Sequence, residues 1–91
     1  MKSIIQTERK CFLTGRTDNL QEHHIFFGSK NRENSERYGL KVWLTADYHT
    51  GKHSPHRDRE IDLYLKQIAQ RKFEETHSQD EFMRIFGRNY L

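Results

Sequence analysis

Leu20-Gln21-Glu22-His23-His24-Ile25-Phe26-Phe27 is the stretch on which the fold of this chain turns. It follows the turn-forming pairs Thr14-Gly15 and Asp18-Asn19 and stops at Gly28, which predicts a strand over 20–27. Lys41-Val42-Trp43-Leu44-Thr45 predicts a second short strand, expected to pair antiparallel with the first. Between them, residues 29–38 are polar and rich in Asn, Arg and Glu, which suits either a loop or a short solvated helix stopping at Gly39. Ile61, Leu65, Ile68 and Phe73 then fall near helical spacing, widened by Leu63, Tyr64 and Ala69, and predict one long helix from Arg57 to about Thr76. Ser78-Gln79-Asp80-Glu81 is a capping box that opens a last helix through Phe82, Ile85 and Phe86 to Gly87. The expected class is α+β: a two-stranded antiparallel hairpin, a histidine-bearing segment and two C-terminal helices, in one domain spanning 1–91.

At 91 residues the chain has room for one hydrophobic core. A domain this small buries only about 60 % of the surface its unfolded chain exposes, so a metal ion or a second copy of the chain is expected to help it. With 33 % hydrophobic and 32 % charged residues, it is too polar for a large core yet carries enough Phe, Tyr, Leu and Ile to escape the signature of a disordered chain. The net charge of +3 suits a polyanionic partner without specifying one. Cys11 is the single cysteine, so no intramolecular disulfide forms, and a small buried hydrophobe is its expected role. No apolar run approaches the ~18 residues of a membrane span. These features lead to the expectation of a cytoplasmic protein without membrane attachment.

Five of the six histidines fall in two groups, His23-His24 on the first strand and His49, His53 and His56 just after the second. Pairing of the strands would bring the groups together. Neutral imidazoles bind Zn²⁺, Ni²⁺, Co²⁺ or Mn²⁺, and about three protein ligands leave positions open for water and a phosphate oxygen. Taken singly, each histidine would pass for a surface residue; the clustering is the signal. His77 has no such company and suits a helix C-terminus or solvent. Successive side chains of a strand point to opposite faces, so His23 and His24 cannot serve one substrate unless the strand bends or lies at an edge.

Glu22-His23-His24-Ile25, then Leu44, His49 and His56, resemble the ββα-metal (His-Me finger) core of HNH endonucleases. The chain is more closely similar to small phage-type HNH proteins, including the recombination-associated, RecA-dependent nuclease family. That likeness runs through Cys11-x-x-Thr14-Gly15, Gly28, Asn31-Arg32, Ser35-Glu36, Gly39, Trp43-Leu44, Glu60-x-Asp62-Leu63 and Phe86-Gly87-Arg88-Asn89-Tyr90. The resemblance implies a phage-derived DNA endonuclease holding one divalent metal ion (Mg, Mn, Ni, Co or Zn). It makes His23 a metal ligand, His24 the general base, and His49 and His56 the remaining ligands, with His53 as an alternative ligand or phosphate contact. Imidazole titrates near pH ~6.5, which suits a base at neutral pH.

Two features depart from that pattern. The positions matching a zinc knuckle read Thr14, Thr45 and Tyr48 beside Cys11, so a four-cysteine zinc site is impossible. No Asn stands near Gly39 or Leu40 to orient the base; Asn31 or Asn34, folded back, or a backbone carbonyl are the alternatives. Trp43, Phe26 and Phe27 are expected in the core. Of the many cations, Lys52 and Arg57 lie beside the histidines and are the expected DNA contacts. A second copy of the chain or a recombination protein is a further partner to consider. The rival readings are a catalytically weak or inactive nucleic-acid- or protein-binding module on the same frame, and a structural protein with a closed zinc site.

Overall fold

The computed structural model describes residues 1–91. The order is β1 (Leu20–His24), α1 (Ser29–Tyr38), β2 (Lys41–Thr45), α2 (Ala46–His49), α3 (Arg59–Phe73) and α4 (Gln79–Phe86). β1 and β2 form a two-stranded antiparallel sheet in which Glu22 faces Trp43, His23 faces Val42 and His24 faces Lys41. No helix is long and apolar enough to cross a membrane.

β1 stops three residues earlier than the expected 20–27, and a side chain explains why. Ser35 of α1 accepts from the Phe26 amide at 3.0 Å and donates to the Phe26 carbonyl at 2.7 Å, doing for this residue what a neighbouring strand would do. The chain thereby leaves the ladder and turns Ile25 and Phe26, each 1 % exposed, into the core. Residues 29–38 take the helical alternative. α1 ends on Gly39, whose φ of 71° is left-handed and where a Cβ would meet the Lys2 carbonyl oxygen at 2.5 Å. A side-chain-bearing residue is therefore shut out of this corner between α1 and β2.

α3 begins at Arg59, with the Asp58 side chain accepting from the amides of Glu60 and Ile61. α4 carries the expected capping box between Ser78 and Glu81 and closes at Gly87. The apolar stripe of α3 (Leu65, Ala69, Phe73) meets Phe82 and Phe86 of α4. Phe26 seals this junction, its ring 4.5 Å from Phe86 and 5.3 Å from Phe82. Val42, Leu44, Leu40 and Cys11 complete the core, with Cys11 buried as expected.

Two of the expected core aromatics lie elsewhere. Trp43 is half-buried under the Arg9 guanidinium, 4.7 Å from its ring centre. Phe27 is half-buried between the His56 ring and the Lys66 ammonium. The alternation of β1 and β2 turns Trp43 to the less enclosed face of the sheet, and Phe27 falls beyond the end of β1.

Candidate functional site

β1 places its two histidines on opposite faces. His23, with Gln21, faces α2 and the 50–58 segment; His24, with Glu22, faces the other way. β2 is the only neighbour of β1, so the other edge of β1 is open and side chains from both faces meet around it. The result is a cavity of about 210 Å³ bordered by Glu22 and His24 from one face, His23 from the other, and His49, His56, Phe27 and Arg32. The adjacent histidines thus share one cavity by way of an open edge rather than a bulge.

His23 is 1 % exposed, and its Nε2 is buried without a hydrogen-bond partner. Only one other side-chain atom in the protein is in that condition, Oδ1 of Asp62. The His49 ring centre lies 5.4 Å from that of His23 and the His56 ring centre 6.0 Å. Two imidazoles that each put a nitrogen about 2.1 Å from one ion have ring centres about 5–6 Å apart, so these spacings fit a shared cation. Burial, reinforced by His49 and His56, pushes the His23 pKa down to about 3. Burial, with His56 and His24 nearby, also lowers that of His49. Both effects favour the neutral imidazole, the form that binds metal.

His49 is the last residue of α2, and its Nδ1 lies 2.7 Å from Oε1 of Gln21. An amide oxygen only accepts, so Nδ1 carries the proton and the Nε2 lone pair is left for a ligand. His56 arrives on the turn after Gly51 and rests against Phe27, ring centres 4.4 Å apart. His53 does not border the cavity: it is exposed and stacks on Tyr48 at 5.4 Å. α2 ends at His49, so the four-residue spacing to His53 is never helical.

On the other face, His24 Nε2 lies 2.9 Å from Glu36 Oε1. Lys41 Nζ stands 2.8 Å from Oε2 and 3.0 Å from Oε1 of Glu36, and 3.4 Å from Glu22. Its bonds from His24 and Lys41 hold the Glu36 carboxyl well below the usual carboxylate range. As a carboxylate it only accepts, so a neutral His24 carries its proton on Nε2 and has the Nδ1 lone pair free. Asn34 does not orient His24, since its amide donates to the Ile85 carbonyl at 3.3 Å, and the neighbour of His24 is Glu36 rather than Asn31.

Glu22, His24 and Glu36 bring three ligand atoms within 4.8 Å of one another and could hold a metal ion. The nitrogens of His23, His49 and His56 converge less tightly than these. The two groups differ in what already neutralises them. Lys41 stands against both carboxylates of the first, whereas the buried His23 nitrogen of the second is paired with nothing.

Lys52 and Arg57 are exposed, near the histidines in sequence but outside the cavity wall. The cation that does border it is Arg32 of α1, exposed and without an ion-pair partner. Gln21, Arg32 and Glu36 were not among the site residues expected from sequence. Glu36 lies twelve residues from His24 in a helix with no apolar periodicity to orient it, whereas Gln21, two residues before His23 on a strand, carried a same-face signal. Comparison of the chain with family models, with curated proteins and with solved structures gives no match.

Proposed function

We propose that this protein is a metal-dependent DNA endonuclease of the HNH type, with a ββα-metal core made of β1, β2 and the His49-bearing segment. The observation that carries the reading is the His23 Nε2, buried and unpartnered, with His49 and His56 beside it and His24 at the same cavity. His23, His49 and His56 would hold one divalent cation of the Mn, Ni, Co, Zn or Mg group. When bound, the cation supplies Lewis-acid polarisation of a phosphoryl oxygen.

The chain's own groups do the rest. His24, its Nε2 proton fixed toward Glu36, offers Nδ1 to take the proton of the attacking water. Arg32, at the cavity, would bind a non-bridging phosphate oxygen, and the exposed Lys52 and Arg57 would hold flanking backbone. Three imidazoles and a cavity open to solvent favour this reading over a closed structural zinc site, which takes four ligands.

Plasmid nicking with Mg²⁺, Mn²⁺, Ni²⁺, Co²⁺ and Zn²⁺ in parallel, beside calorimetry, tests it. His24→Ala should lose about 10²–10⁴-fold in rate while keeping metal affinity. His23→Ala should lose metal affinity and recover part of its rate at high metal concentration. If no cation supports nicking, or if His24→Ala cuts normally, the proposal is wrong.

A further inference from the structure

A second cavity, of about 240 Å³, lies between α3 and the segment that follows α4. Arg59, Lys66 and Arg88 border it together with Tyr90, against the carboxylates of Glu60 and Asp62. Lys66 takes Asp62 at 2.9 Å, and neither Arg59 nor Arg88 is ion-paired. The Arg88 guanidinium sits 5.2 Å from the Tyr90 ring centre and the Lys66 ammonium 5.4 Å from it. Contacts with a ring face fix a cation in place without using its N–H groups, which stay free for an anion.

The segment carrying Arg88 and Tyr90 is fastened to α3 by glutamine side chains. Gln70 of α3, 0 % exposed, accepts from the Tyr90 amide at 2.8 Å and donates to Asn89 Oδ1 at 2.7 Å. Gln67 donates to the Tyr90 carbonyl at 2.9 Å. A fully buried glutamine with both ends of its amide engaged makes the placement of Arg88 and Tyr90 a built feature.

This cavity connects with the histidines through two contacts. Lys66 Nζ lies 4.3 Å from the Phe27 ring centre, and the Phe27 ring lies 4.4 Å from that of His56. Phosphates recur about every 3.4 Å of axis along a strand, so a strand seated at the histidines would carry another phosphate at this reach. We propose that Arg59, Lys66 and Arg88, gathered around Tyr90, form a subsite for a backbone phosphate of a nucleic-acid strand about one or two nucleotides from the histidine cavity. The proposal rests on the nuclease reading for its ligand class, while the cavity, the unpaired arginines and the clasp stand without it.

Fluorescence anisotropy with a short labelled single-stranded oligonucleotide, metal-free and over a series of salt concentrations, tests the subsite. Arg59→Ala and Arg88→Ala should each weaken binding about tenfold and lower the slope of log K against log salt by about 0.7. Circular dichroism should be unchanged, since both side chains are exposed. Arg88→Lys should keep the slope and lose part of the affinity, because the guanidinium fork is lost but the charge is not. An unchanged slope in the Arg59→Ala/Arg88→Ala double variant overturns the proposal. Inorganic phosphate competing as well as the oligonucleotide does so too, by making this a free-anion site. Failure of the wild type to nick DNA, with the dependence on Arg59 and Arg88 intact, would sink the nuclease reading alone.

Discussion

Glu36, in the second half of a polar helix, sets Oε1 2.9 Å from His24 Nε2 while Lys41 Nζ lies within 3.0 Å of both its oxygens. The carboxylate fixes the tautomer and the ring angle of His24, and Lys41 holds the carboxylate in place by donating to both its oxygens. Glu36→Gln keeps the shape and removes the charge, so nicking should fall about 10–100-fold with metal affinity unchanged. A fall in metal affinity as large as the fall in rate would assign Glu36 to a metal site with Glu22 and His24 instead.

Gln21 holds His49 from across the sheet face at 2.7 Å. Gln21→Leu removes the acceptor for Nδ1–H and lets the ring turn, so Mn²⁺ or Ni²⁺ should bind about tenfold more weakly. Gln21 is exposed, and the melting temperature of the metal-free protein should barely move. Calorimetry that finds equal metal affinity would free His49 from the ligand set.

Acid should unfold the protein through His23. Its folded pKa is about 3, against about 6.5 in an unfolded chain, so between these values the unfolded state takes up a proton that the folded state refuses. The stability held above pH ~6.5 is therefore lost progressively as pH falls toward 3, by on the order of 4 kcal/mol for this group. His49, shifted the same way, adds to the trend. Urea unfolding at pH 7, 5.5 and 4.5 should show it, and His23→Gln should flatten it; parallel slopes in the two proteins would count against the assignment.

Ser35 is 0 % exposed and satisfies both polar groups of the Phe26 peptide backbone. Ser35→Ala leaves a buried N–H and a buried C=O without that partner, which should cost about 2–4 kcal/mol in urea unfolding. In a domain this small, such a loss is a large part of the total. A cost under about 0.5 kcal/mol would mean that the backbone there finds other partners.

What could be read from the residues is what local chemistry determines. The Ser78/Glu81 box, the stripe of α3 and the pairing of 20–24 with 41–45 rest on neighbours within one helix turn or on strand alternation. Ile25 to Phe27 read as strand because nothing local reveals that Ser35 takes over the backbone of Phe26. The preference for His56 over His53 followed the family resemblance rather than any local signal, and it is His56 that borders the cavity. Glu36 was not legible, because its partnership with His24 exists only once α1 meets the sheet face that carries His24 and Lys41.

The sheet's having only two strands carries one more consequence. A third strand laid beside β1 would sort Glu22 and His24 onto one side of a wall and His23, His49 and His56 onto the other. Base and ligands would then serve separate compartments. Growth on the far side is also barred, because the Trp43 backbone is already engaged by Gln6 and Phe12. The chemistry proposed for this chain therefore depends on the sheet staying narrow. An extended peptide that bound along β1 would silence the site without touching any of its side chains.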